Sequence, residues 1–595
     1  MKSRIVVSIA FCLALFISGC ESGSDDVQQK IGGAKKTIEH TKVKSGESKI
    51  KPQIKEETAK PVVVDKTKNG VNKSISHPLA MKLPAPGARR SKLKHANFSF
   101  MGAASVEGYG GGYPGQGYES VDRENYNHFD DNPVKVVSSD PVSTFSIDVD
   151  TGAYSNMRRV IQRGQMPNKD AIRVEELINY FNYNYPLPDN ADKPFGVTTE
   201  IAPAPWNENS LLLHIGVKAY DIPKEKLPPA NLVFLCDVSG SMNSSDKLGL
   251  LKSSLKLLTK QLGEKDRISL VVYAGASGVV LEPTAGNDYA KIATALERLS
   301  AGGSTNGGAG INLAYSMAEK AFIKDGINRV ILATDGDFNV GTTGIEALKQ
   351  LVERKRKSGI SLTTLGFGSG NYNDHLMEQL ADIGNGNYAY IDNLNEAQKV
   401  LVDNISSTLK IVAKDVKIQI EFNPENVSEY RLIGYENRQL KREDFNNDKV
   451  DAGEIGAGHT VTAIYEIVLN GSKGGMVEPL RYGKKEHVKN TAEVNSNELA
   501  FFRIRYKKTD SENSTLQQWP LVKQQIIKSS ADTSERFRFS AAVAAFGQKL
   551  RGGKYLKDYA YADILELARK SRGEDKFGYR GEFISIVNLA HSLDK

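Results

Sequence analysis

The sequence predicts an α/β protein: a doubly wound, mainly parallel sheet with helices on both faces, flanked by a β-rich domain and a C-terminal helical region. Three observations predict it. From residue 231 to about 409, apolar runs of strand length alternate with helical segments. Those runs carry no polar alternation, as expected of strands covered on both faces. After residue 410 the alternation gives way to strand-like runs and then, from Ser534, to helical ones.

At 595 residues the chain is too long for one core, so two or three folded domains are expected. The net charge of +7 resides in the N-terminal part: +2 in the first twenty residues and +9 in residues 21–96, which leaves −4 for the rest. The folded part is therefore slightly acidic, and nucleic acid is not an expected partner.

Residues 1–20 have the anatomy of a secretory signal. Lys2 and Arg4 precede an apolar stretch, Ile5 to Ile17, that is short for a membrane span. It ends in Ile17-Ser18-Gly19-Cys20, which resembles the lipobox of bacterial lipoproteins, so Cys20 is the expected lipidation site and several acyl chains the expected anchor. Glu21 after that cysteine resembles lipoproteins sorted to an outer membrane in a two-membrane cell, which sets the expected localisation at the periplasmic face, with an inner or single cell membrane as the alternative. Cys236 is then the only thiol left, and no intramolecular disulfide is expected.

Residues 21–96 hold no aromatic residue, and a Gly/Tyr-rich patch follows at 108–118. Such a composition buries too little surface to offset ordering entropy, so residues 21–139 are expected to be a disordered tether and linker. Its first 76 residues, as a flexible coil, span about 50 Å.

Residues 140–229 form an expected α+β extension. A strand at 144–150, helices at 151–163 and 173–183, and two antiparallel strands (GVTTEIAPAP, SLLLHIGVKAY) follow one another. The last two are candidates to pair with the later β domain, which would make the α/β unit at 230–410 an insertion. Within that unit LVFL, ISLVVY, RVILAT, ISLTTLGF and YAYI read as strands. Leu248, Leu251, Leu255, Leu258 and Leu262 form one helical stripe. A β-rich domain is expected at 411–510 and a helical region at 511–595.

The chemistry concentrates where strands end. Asp237, Ser239 and Ser241 follow the first strand of the α/β unit, and Asp335 follows RVILAT. Thr305 lies in the glycine-rich loop Gly302 to Gly308, before a helix. In a doubly wound fold these positions converge at the carboxyl ends of the strands. Two carboxylates and three hydroxyls, with no His or Cys, suit Mg²⁺, Mn²⁺ or Ca²⁺. Hydroxyl ligands leave the ion much of its positive charge, and it then seeks an outside carboxylate.

DVSGSM, a threonine in GGSTNGG and then TDGD together resemble the metal-ion-dependent adhesion site of von Willebrand factor type A domains. TFSIDVDTGAYSNMRR, REDFNNDKVDAGEIGAGHTVTA and the C-terminal helices resemble the bacterial lipoprotein branch of that family. The resemblance implies Asp237, Ser239, Ser241, Thr305 and Asp335 as the metal set, Mg²⁺ as the leading ion, and a protein ligand presenting Asp or Glu. It implies no catalytic residue. A metal-dependent hydrolase of phosphoesterase type is the alternative, disfavoured by the lack of an adjacent His or Lys near the hydroxyl-rich shell. An envelope scaffold with a structural ion is the third reading.

Other motifs carry less. Asp444 to Asp448 opens like an EF-hand loop, but Lys449 and Ile455 stand where the loop needs Gly and Glu. Gly366 to Gly370 lacks a full dinucleotide fingerprint, and there is no GxSxG, HExxH or CxxC. Cys236 reads as a packed core thiol.

Overall fold

The computed structural model describes residues 124–188, 192–336, 338, 344–370, 372–478 and 497–594. The expected signal, Cys20 and the tether up to residue 123 lie outside the described residues.

Residues 124–139, expected in the linker, are folded. β1 (Lys135–Val136) pairs antiparallel with Tyr430 and Glu429. The buried Asn132 amide donates to the carbonyls of Leu432 (3.1 Å) and Gly434 (2.7 Å). Polar bonds to a distant strand fix this stretch, and hydrophobic patterning does not register them.

β2 (Val142–Ser146) is buried at every residue and begins and ends earlier than the expected strand at 144–150. α1 (Gly152–Gln162) follows. α2 (Val174–Asn179) covers about half of the expected helical run. β3 (Phe195–Ala204) and β4 (Asn207–Ala219) pair antiparallel.

The α/β unit comprises β5 (Ala230–Asp237), α3 (Leu250–Thr259), β6 (Arg267–Tyr273), β7 (Ser277–Ala285), α4 (Tyr289–Glu297), α5 (Gly307–Lys320) and β8 (Ile327–Thr334). It continues through α6 (Ile345–Lys357), β9 (Ser361–Phe367), α7 (Asp374–Ile383), β10 (Tyr388–Ile391), α8 (Leu394–Gln398) and α9 (Ile405–Leu409). The sheet order is β10-β9-β8-β5-β6-β7, parallel except for β7, an edge strand that periodicity did not separate from its loops. One apolar cluster fills each face: Leu251, Leu255 and Leu258 of α3 on one, Ile311, Ala314 and Tyr315 of α5 on the other. The chain runs outward from β5 through β6 and β7, then crosses to β8 on the other side of β5. Strand order therefore reverses between β5 and β8, and crevices for ligands form at such reversals.

β11 (Ile411–Phe422), β12 (Val427–Ile433), β13 (Gly453–Gly456), β14 (Thr460–Leu469), β15 (Glu498–Lys508) and β16 (Ser514–Val522) complete two further sheets. β1-β12-β14-β4-β3 forms one; β13-β11-β15-β16, with β2 also on β11, forms the other. β4 pairs with β14 from Leu211↔Ile467 to Lys218↔Thr460, so the α/β unit interrupts a β structure whose strands come from both sides of it. Ile215, Val217, Val461 and Tyr465 of the first sheet meet Ile418, Ile420, Phe502 and Ile504 of the second in one core. β16 lies past residue 510 and corrects the expected boundary: its Gln, Pro and exposed-edge pattern lacks the apolar run of its neighbours.

α10 (Glu535–Leu550), α11 (Tyr561–Lys570) and α12 (Tyr579–Leu593) pack with α1 and α2 over the outer face of the first sheet. Ser534 Oγ caps α10 by accepting from Phe537 N at 3.2 Å. Arg158 of α1 ties three parts together. Its guanidinium bonds Asp392 beyond β10, Glu396 of α8 (2.8 Å) and Glu582 of α12 (2.8 Å), with only 1% of its side chain exposed.

Candidate metal centre

β5 ends in Asp237 because its apolar body is spent in the two clusters of the sheet and the turn beyond it faces the crevice. The Asp237 side chain is buried. Oδ1 accepts from Ser239 N at 2.9 Å, which closes the turn. Oδ2 accepts from Thr334 Oγ1 at 2.9 Å and from Tyr273 Oη at 3.0 Å. Three neighbouring strands thus meet at one carboxylate, since Cys236 pairs with Ala333 on β8 and Asp237 with Tyr273 on β6. Burial pushes the Asp237 carboxyl upward, the bonds from Ser239 pull it back, and the charge of nearby Asp335 pushes it up again.

Ser239 and Ser241 stand two residues apart, and their hydroxyl oxygens are 2.9 Å from each other. Ser239 is buried and Ser241 exposed, so the pair bridges the crevice floor and its mouth. The loop carrying Thr305 is drawn against this turn by two backbone bonds, Gly240 N to Gly303 O (3.0 Å) and Gly302 N to Val238 O (2.8 Å). Thr305 is half-buried, two residues beyond Gly303. The structure thus brings Asp237, Ser239, Ser241 and Asp335 together, and the loop that carries Thr305 is bonded to the same turn through Gly302 and Gly303.

α5 presses closely on β6 at Gly310, where an added Cβ would lie 2.7 Å from Tyr273 Cβ. That close approach holds Tyr273 where its phenol reaches Asp237.

One participant was missed from sequence. Lys247 Nζ lies 2.9 Å from Asp335 Oδ2, with 12% of the lysine side chain exposed and none of the aspartate's. A cationic side chain therefore does stand beside the site, contrary to the expectation of no adjacent His or Lys. Lys247 immediately precedes the stripe Leu248, Leu251, Leu255 and belongs to no motif read from the sequence. Residues 245–249 form a wider π turn, and Lys247 within it reaches Asp335. No periodic signal marks such a turn. Cys236, by contrast, is a buried core thiol as read, and burial pushes its ionisation up.

The donor set is all hard oxygen. Neighbouring vertices of an oxygen octahedron with bonds of about 2.0–2.1 Å lie about 2.9 Å apart, and the hydrogen bond between the Ser239 and Ser241 hydroxyls, 2.9 Å long, sets their oxygens at a spacing compatible with it. Asp237 and Asp335 against one ammonium leave the crevice net negative. These residues fit a small divalent cation, with Ser241 and Thr305 toward the opening. An open depression of about 370 Å³ follows the turn, lined by Met242, Ser244, Leu248, Lys252, Leu299 and Ala301 and by none of the five site residues.

The EF-hand-like loop is a polar turn. Lys417 Nζ donates to the carbonyls of Asp444 (3.1 Å) and Asn447 (2.6 Å), and Lys507 Nζ to that of Asp448 (2.8 Å), so ammonium groups take up its carbonyls. Asp148 is likewise engaged, accepting from Arg438 Nε at 3.0 Å.

A crevice at a strand reversal, floored by D-x-S-x-S and a second aspartate, defines a von Willebrand factor type A domain, and the family model of that name matches residues 231–403. A model described as von Willebrand factor matches residues 120–214, and one described as "Uncharacterized protein YfbK, C-terminal" matches 407–593. The chain belongs to the von Willebrand factor type A domain family, in the group that includes YfbK. It is 50% identical over 474 residues to the uncharacterized protein YfbK of Escherichia coli K12, covering 79% of this chain and 81% of that one. It is 29% identical over 162 residues to human inter-alpha-trypsin inhibitor heavy chain H3, covering 26% of this chain and 18% of that one. Among solved structures, a von Willebrand factor type A protein from Catenulispora acidiphila matches 67% of this chain and 91% of its own, at 15% identity and a TM-score of 0.38. Domains of this family commonly bind protein partners and often hold a divalent metal.

Proposed function

We propose that this chain is a lipid-anchored cell-envelope binding protein. Its crevice holds a divalent metal, Mg²⁺ first, through Asp237, Ser239, Ser241, Thr305 and Asp335, and a partner's Asp or Glu completes the coordination. The observation that carries the reading is the 2.9 Å hydroxyl pair set beside two buried carboxylates. Serine and threonine hydroxyls neutralise none of the ion's charge, and with Asp237 and Asp335 acting partly through bridging waters the ion would retain attraction for an external carboxylate. Cys20 would carry the acyl anchor and face the protein into the periplasm from an outer membrane, as the Ser18-Gly19-Cys20-Glu21 stretch suggests.

The hydrolase alternative gains little from Lys247. Its ammonium pairs with Asp335 as a counter-ion, and no observation favours it as a base or nucleophile.

The experiment is a titration of the full chain with Mn²⁺, followed by capture from envelope extract on wild-type and Ser239→Ala/Ser241→Ala protein, with and without EDTA. Mn²⁺ binding and capture that both disappear in the double variant support the reading. Capture indifferent to EDTA and to the serines sinks the metal-bridged mechanism. Mass analysis of the membrane-extracted protein tests the anchor, which requires an acylated Cys20 at the mature N-terminus.

A further inference from the structure

Lys247 is held in place by more than its partner. Its stem crosses Gly368, whose φ is +74°, and a Cβ at that position would lie 2.3–2.8 Å from the lysine's Cγ, Cε and Cδ. Only glycine suits both that backbone conformation and that contact. On the other flank, Asp246 pairs with Arg163 (3.3 Å), and Arg163 also donates to Ser369 at 2.7 Å. The arm therefore lies in a built channel between the π turn at 245–249 and the loop after β9, and it ends on one of the proposed metal ligands.

We propose that Lys247 is an internal counter-cation of the metal site: its ammonium occupies the charge of Asp335, and a divalent ion must displace it to engage that carboxylate. The inference rests on the metal-site reading above. Both cations draw on one buried carboxylate, and at a few ångströms a monovalent and a divalent charge repel strongly in a protein interior. Two consequences follow for the molecule. The site stays formed without the close approach of two uncompensated carboxylates. Its affinity for metal is also set lower than its oxygens alone would give, so occupancy responds to the local metal concentration. Displacement frees a flexible four-carbon arm at the rim, where 12% of the side chain already meets solvent.

The test is Mn²⁺ titration of the full chain, read as free Mn²⁺ by electron paramagnetic resonance. Wild type, Lys247→Met, Lys247→Gln, Asp335→Asn and the Lys247→Met/Asp335→Asn double variant are compared. The expected result is that Lys247→Met and Lys247→Gln each bind Mn²⁺ at least about tenfold more tightly than wild type. That gain is expected to shrink or vanish in the Asp335→Asn background. Melting supplies a second readout: in EDTA, Lys247→Met melts below wild type, and Mn²⁺ raises its melting temperature by more than it raises the wild type's. Unchanged or weaker binding in both lysine variants, with wild-type binding still dependent on Asp237, overturns the counter-cation while leaving the metal site standing. No Mn²⁺ binding by any of these proteins overturns both.

Discussion

The phenol of Tyr273 on β6 donates to Asp237 Oδ2 at 3.0 Å, and the hydroxyl of Thr334 on β8 donates to the same oxygen at 2.9 Å. Asp237 is thereby fixed from both neighbouring strands, and its other oxygen is turned to the Ser239 amide. The first aspartate of the site is positioned by the sheet itself.

Tyr273→Phe removes one of those two donors and nothing else of the ring's packing against Phe338. The expected cost is about 1 kcal/mol of folding stability. Metal affinity is expected to fall modestly as Asp237 gains freedom. A denaturant midpoint and a Mn²⁺ titration check the two effects; a variant identical to wild type in both would mean that the phenol does not hold the carboxylate.

Gly310→Ala places a methyl 2.7 Å from Tyr273 Cβ. Either α5 or the tyrosine must move, at a cost of about 1–3 kcal/mol. Because Tyr273 leads to Asp237, weaker Mn²⁺ binding should accompany the lost stability. A loss of stability with unaltered binding would show that α5 yields and the tyrosine stays.

Arg158→Met leaves Asp392 and Glu396 buried without their shared cation. Removal of one partner from a buried ion network costs about 3–5 kcal/mol. The destabilisation should appear as faster protease cleavage and a lower melting temperature. Melting within a degree of wild type would remove Arg158 from its role as a tie between the α/β unit and the helices.

His214 is 1% exposed, and its Nε2 lies 3.0 Å from the Tyr185 hydroxyl. Burial, reinforced by the charge of Arg536, lowers its ionisation from 6.5 to about 3. The unfolded chain therefore binds a proton there between pH 6.5 and about 3 that the folded chain refuses, so this histidine's contribution to stability falls as pH is lowered through that window. Glu176 acts in the opposite sense: burial raises its carboxyl to about 8, so its contribution is present below 4.5 and is lost as pH rises through 8. His214→Gln isolates the first effect. Its drop in melting temperature from pH 7 to pH 4.5 should be smaller than the wild type's, and an equal drop would assign the acid sensitivity elsewhere.

The sheet of the α/β unit was legible because a strand covered on both faces must be apolar throughout, and LVFL, ISLVVY and RVILAT are. The aspartates and serines were legible because polar residues directly after such strands have one place to go, the carboxyl edge. Other elements left weaker traces. β7 and β16 are edge strands whose half-exposed residues dilute any period, and residues 124–139 are ordered by single polar bonds such as those of Asn132.

By itself, the sequence placed Asp237, Ser239, Ser241 and Asp335 just beyond two apolar parallel strands, at the carboxyl edge where a doubly wound sheet gathers its polar residues. Tertiary structure decided what stands opposite them. The π turn at 245–249 and the space above Gly368 carry Lys247 onto Asp335, and a contact between residues 88 apart depends on backbone shape that no local pattern encodes.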